Sequence, residues 1–102
     1  MKPEKLKTEN LSRMSMNKLF TDNGWEDYIY WQTEDRKTLK RINALIRDIS
    51  RSGNTGIGKP EPLKGNLSGF WSRRINETDR LVYKLEANNI VILSCRYHYD
   101  NR

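Results

Sequence analysis

A chain of 102 residues has room for one domain with a single modest core. Lys and Arg number 19 against 13 Asp and Glu, and the resulting net charge of +6 suits a polyanionic partner such as RNA, DNA or the ribosome, or an acidic protein. One cysteine excludes an internal disulfide, one cysteine with one histidine excludes a zinc site of the usual kind, and no apolar run reaches the length of a membrane span. A reducing cytoplasm is the expected compartment.

Residues 1–15 are mainly polar and charged, with Leu6 and Leu11 as sparse apolar points, and read as a leader or N-terminal extension. The domain proper is expected over 16–102. Asn17-Lys18-Leu19-Phe20 suggests a first strand. Thr21, Asp22 and Asn23 are each good N-caps for a helix carrying Trp25, Tyr28, Ile29 and Trp31, aromatics expected to serve the core rather than to stack on bases. Asp35 is placed to cap a second helix running to about Ser52, in which Leu39, Ile42, Leu45, Ile46 and Ile49 recur at helical spacing. Its cations Lys37, Lys40, Arg41, Arg47 and Arg51 lie largely off that apolar face, as a solvated flank or as a docking surface for phosphates.

Gly53-Asn54 closes the helix and Thr55-Gly56-Ile57-Gly58 forms a loop. Three strands are expected, over Gly69–Ile75, Arg80–Leu85 and Ile90–Tyr97, joined by turns at 76–79 and 86–89. Two helices followed by a meander predict an α+β domain, with the helices packed on one face of a small antiparallel sheet.

Chemistry concentrates in the second half. Glu61 stands between Pro60 and Pro62, which fix or bias the local backbone, so its carboxylate is either a stiffly held functional group or a surface acid in a rigid loop. His98 is the single histidine and can exchange a proton near neutral pH. Arg73 and Arg74 are strand neighbours and must face opposite sides, so one can reach a given phosphate while the other is solvated or paired. Arg80 opens the next strand across a short turn, near the same face. Trp71 shares its face with Arg73 and reads as a packing residue.

Taken in order, Trp25-Glu26-Asp27-Tyr28, Gly58-Lys59-Pro60-Glu61-Pro62-Leu63-Lys64, Leu67-Ser68-Gly69-Phe70-Trp71-Ser72-Arg73-Arg74-Ile75, Arg80-Leu81-Val82-Tyr83 and Cys95-Arg96-Tyr97-His98-Tyr99 resemble the YoeB/Txe toxins, a branch of the RelE superfamily of bacterial toxin–antitoxin systems. The resemblance runs without a gap from Met16 to Tyr99. It implies a RelE-like fold and cleavage of mRNA in the A site of the 70S ribosome, without metal or other cofactor. It also implies inhibition by a YefM/Phd-type antitoxin, homodimer formation, and operator DNA binding through the toxin–antitoxin complex. Residue by residue, it places a general base at Glu61, a general acid at His98 and a phosphate-binding arginine at Arg80. Arg74 and Lys64 become supporting cations, and Tyr99 a terminal active-site tyrosine. A DNA-binding co-repressor with weak or no cleavage is the alternative. Chains of that family begin near the position of Met16 and close on the His-Tyr pair, so the leader and Asp100-Asn101-Arg102 are departures.

Overall fold

The computed structural model describes residues 16–97; residues 1–15, where a leader or extension is expected, and residues 98–102 lie outside them. Five strands and two helices follow in the order β1 (Asn17–Phe20), α1 (Asp22–Glu34), α2 (Arg36–Ser52), β2 (Glu61–Pro62), a 3-10 turn (Gly65–Leu67), β3 (Trp71–Arg74), β4 (Arg80–Glu86) and β5 (Asn89–Ser94).

Each helix is started by the residue its local sequence offers. Thr21 caps α1 by accepting from the Gly24 amide at 3.0 Å, and its hydroxyl donates to the Leu93 carbonyl at 2.9 Å. One side chain thus both begins the helix and ties it to β5. Gly24 lies so close to the Ile92 carbonyl that a Cβ there would collide with backbone, and this lets α1 cross β5 in direct contact. Asp35 ends α1 and caps α2, accepting from the Lys37 and Thr38 amides at 3.1 and 3.2 Å and from the Thr38 hydroxyl at 2.8 Å. These bonds, that from the Thr38 hydroxyl first, hold the Asp35 carboxyl below its ordinary range. The helix closes at Gly53, whose φ of 67° is the left-handed geometry that glycine adopts without a Cβ penalty.

The expected apolar stripe of α2 is the core: Ile42, Leu45, Ile46 and Ile49 are buried against Leu81, Tyr83, Ile90 and Ile92 of the sheet. Burying each such side chain stabilises the fold by about 1.5–3 kcal/mol relative to exposure. The aromatics of α1 divide. Trp31 is buried and Tyr28 is partly buried, but Trp25 keeps 48% of its surface exposed and meets Phe20 and Tyr28 only at the rim.

Strand order is β1-β5-β4-β3-β2. The meander of β3 to β5 is antiparallel as expected, and Glu61–Pro62, expected in a rigid loop, adds β2 antiparallel to β3, whereas β1 joins parallel to β5, with Asn17 opposite Asn89 and Phe20 opposite Ile92. The sheet is therefore mixed. Both helices intervene before β2, so the chain reaches the far edge first and meanders back until β5 lies alongside β1. Alternation along β3 and β4 sends Trp71, Arg73, Leu81 and Tyr83 toward the helices and Ser72, Arg74, Arg80 and Val82 to the other face. Among the described residues, no helix is long and apolar enough to cross a membrane.

Candidate active site

Glu61 forms half of the two-residue strand β2 at the sheet edge, where a proline on either side removes no needed ladder donor. Its partner in register is Ser72. The buried Leu63 and the hydrogen bond from its amide to the Phe70 carbonyl at 2.9 Å pin the segment from behind. The Glu61 side chain itself is exposed, and among the described residues its carboxylate has no hydrogen bond or ion pair.

Because paired residues share a face and alternate residues repeat it, Glu61, Ser72 and Arg74 lie on one side of the sheet. Arg74 stands directly opposite Arg80 on the same side. Directly opposed like charges destabilise a sheet unless something anionic lies between or above them. Arg74 is exposed; Arg80 retains only 8% of its surface. Its Nη1 donates to the carbonyls of Asn76, Glu77 and Asp79 at 2.9, 3.3 and 3.1 Å, so the β3–β4 turn fixes the guanidinium. That turn is itself held by Asn76 Oδ1, which accepts from the Thr78 and Asp79 amides.

The chain after β5 is delivered to this place by three buried side chains. Asp27 Oδ2 accepts the Cys95 amide at 2.9 Å, Trp31 Nε1 donates to the Cys95 carbonyl at 2.7 Å, and Asp79 Oδ1 accepts the Tyr97 amide at 2.6 Å. The Tyr97 carbonyl in turn accepts the Arg80 amide at 3.1 Å. Between them, the Arg96 guanidinium lies 3.4 Å from the centre of the Tyr30 ring and 4.4 Å from that of Tyr97. Tyr97 adopts φ 67°, a left-handed conformation unusual for a bulky residue and the mark of a segment held by its surroundings. Burial raises the Asp27 carboxyl above its ordinary range and, with the charges of Asp27 and Asp79, pushes the Cys95 thiol up to about 12. That thiol is a core group and not a nucleophile.

Of the residues singled out in the sequence, Glu61, Arg74 and Arg80 thus share one sheet face, and Lys64 sits in the exposed loop just after β2. His98 and Tyr99 lie outside the described residues; the last described residue, Tyr97, is bonded to Arg80. Sequence reasoning missed Asp27, Trp31 and Asp79 as anchors of that segment. Their partners lie 68, 64 and 18 residues away, and no local pattern reports such bonds. An exposed carboxylate sharing a sheet face with two arginines, one held by backbone carbonyls and one exposed, is an arrangement that can meet a phosphodiester.

The family model for "YoeB-like toxin of bacterial type II toxin-antitoxin system" matches residues 20–99. The chain belongs to the YoeB toxin family. A curated YoeB toxin of Streptomyces coelicolor is 61% identical over 80 residues, covering 78% of this chain and 95% of that protein. The solved YoeB/ParE toxin from Agrobacterium tumefaciens superposes with a TM-score of 0.81 at 42% identity, over 82% of this chain and all of the other. A YoeB–YefM complex from Staphylococcus aureus gives 0.78 at 50% identity over 83% of this chain and 99% of its counterpart, and a YoeB dimer from the same organism gives 0.78 at 52%, over 82% and 98%. The α+β fold expected for a YoeB toxin is therefore the one found, with β1 added in parallel.

Proposed function

We propose that this YoeB-family toxin is a ribosome-dependent endoribonuclease that cuts mRNA in the ribosomal A site. The observation that carries this reading is the opposed Arg74–Arg80 pair on the face of the exposed, proline-framed Glu61. Glu61 removes the proton from a ribose 2′-hydroxyl, and the resulting oxyanion attacks the adjacent phosphorus. Arg80, pre-set by three carbonyls, and the exposed Arg74, with Lys64, meet the charge that grows on the phosphorane oxygens. His98 gives its proton to the departing 5′-oxygen, with Tyr99 beside it, so the proton lost to the base is matched by one donated to the leaving group. The products are a 2′,3′-cyclic phosphate and a 5′-hydroxyl. The nucleophile belongs to the RNA, so this route calls for no covalent enzyme intermediate. In-line geometry is rare in free RNA, and a ribosome holding the codon supplies it.

A YefM-type antitoxin and a second copy of this chain are the proposed protein partners, on the strength of the S. aureus relatives, with operator DNA bound through the toxin–antitoxin complex. The cytoplasm is the compartment such partners require. The test is cut-site mapping on ribosome-bound mRNA with the parent, Glu61→Gln and His98→Ala. Each variant should cut about 10²–10⁴-fold more slowly. Parent-like cutting by both would overturn the assignment.

A further inference from the structure

We propose that Arg73, on the opposite face of β3 from the candidate site, is the positioning residue that holds Glu61 in place. This rests on the reading of Glu61 as the base. Arg73 is wholly buried, and each of its five N–H donors has a partner. Nε donates to the Tyr83 hydroxyl at 3.3 Å. Nη1 donates to Asp48 Oδ2 at 2.6 Å and to the Ile57 carbonyl at 3.0 Å, and Nη2 to the carbonyls of Gly53 and Thr55 at 2.6 and 2.9 Å. The same Asp48 oxygen accepts the Ile57 amide at 3.1 Å, and the Tyr83 hydroxyl donates to Asn54 Oδ1 at 3.1 Å. One guanidinium therefore gathers alternate carbonyls of the irregular segment 53–57.

Stability alone does not explain this choice. A buried ion pair is often no more stabilising than apolar residues of the same volume, whereas a planar fork with five directed donors fixes a backbone path. Two glycines show how closely the segment is seated. A Cβ at Gly56 would collide with Asp48 Oδ2, and one at Gly58 would stand 2.8 Å from a Leu45 methyl and 3.2 Å from the Arg73 Cβ. The Gly58 carbonyl accepts the Arg74 amide at 2.7 Å, so the segment is fastened from below by one arginine and at the strand edge by the next. From Gly58 only Lys59 and the rigid Pro60 intervene before Glu61. Movement of the segment is therefore passed on to the carboxylate, and a misplacement of about 1 Å can lower a rate about 10²-fold.

The experiment compares single-turnover and steady-state cutting on programmed ribosomes by the parent, R73K, E61Q and R73K/E61Q, with backbone hydrogen exchange on the same proteins. Lysine keeps the charge for Asp48 but cannot span three carbonyls. R73K should lower kcat about 10–100-fold with KM within about twofold, and should add nothing on the E61Q background. Exchange should quicken over 53–62 and stay slow in β4 and β5. G56A keeps the Arg73 side chain, but its added Cβ would displace the segment and the Asp48 oxygen that Arg73 holds, and it should reproduce the pattern. Parent-like cutting by R73K beside a crippled E61Q would overturn the proposal. So would an undiminished R73K effect on the E61Q background, or loss of protection throughout the sheet. E61Q cutting at the parent rate is a separate outcome, and removes the reading of the base on which the proposal stands.

Discussion

Removing the Asp79 carboxylate should release the chain at Tyr97 from Arg80. In the parent, Asp79 is buried with 9% of its surface exposed, and its Oδ1 takes the Tyr97 amide at 2.6 Å. A hydrogen bond to a charged group is worth about 1.5–3 kcal/mol. The other hydrogen bond of that backbone, from the Arg80 amide to the Tyr97 carbonyl at 3.1 Å, is an ordinary one worth about 0.5–1.5 kcal/mol, and the Arg96 stacking is common to parent and variant. Against both stands the left-handed backbone of Tyr97, unfavourable by about 1–2 kcal/mol. With Asp79 the docked state wins clearly; in Asp79→Ala the two remaining backbone contributions nearly cancel and the Arg96 stacking is left as the main tie. The docking equilibrium should therefore fall by about 10–100-fold, since each 1.4 kcal/mol is tenfold. Asp79→Asn keeps an acceptor oxygen without the charge and should lie between. Amide exchange at Tyr97 and Arg80, read by NMR in the free protein, measures this directly. Single-turnover cutting should fall in the same order, because the segment leading to His98 is no longer held beside Arg80. If the Tyr97 amide exchanged no faster in Asp79→Ala than in the parent, the reasoning would be wrong.

Two further outcomes follow from the buried groups. The Cys95 thiol, wholly buried and pushed up to about 12, should resist a thiol reagent at neutral pH until the fold opens, so labelling should track unfolding across a urea series; labelling of the native chain at the rate of a free thiol would contradict its placement. The Asp48→Asn change should destabilise the protein at neutral pH by about 3 kcal/mol, the low end for a broken buried pair because the Asp48 side chain keeps 22% exposure. The Arg73 hydrogen bond holds the Asp48 carboxyl below its ordinary range, so its contribution is complete above the unfolded-state value and disappears as pH falls through the folded one. The gap between parent and variant should close on acidification below about pH 4. A gap in urea midpoints that stays constant with pH would refute the linkage.

Much of the domain was legible because its signals are local. Thr21 and Asp35 cap the helices that their neighbours require, and the four buried apolar positions of α2 repeat at helical spacing. Strand limits were less legible for identifiable reasons. The expected strand through Tyr97 stops at Ser94 because Asp27, from a distant helix, takes the Cys95 amide. The one expected from Gly69 starts at Trp71 because the Phe70 amide closes on the Leu67 carbonyl and Gly69 takes φ 97°. Alternation required Arg73 and Arg74 to diverge, but which of them would be buried depended on Asp48, in a helix 25 residues earlier. The parallel docking of β1 left no mark in its own four residues. Trp25 follows the aromatic spacing yet remains at the rim, since the core beneath α1 is already filled around Trp31.

That docking of β1 also sets an order of assembly. The first described strand has its partner in β5, made near the end, and Thr21, Asp27 and Trp31 all reach residues between Ile92 and Cys95. The helices can form while the chain is being made, but the sheet that covers them cannot close until β5 is free to pair. A ribosome translating this protein thus makes all five described strands before the segment after β5 can reach Arg80. The topology thus defers closure of the sheet to the end of synthesis.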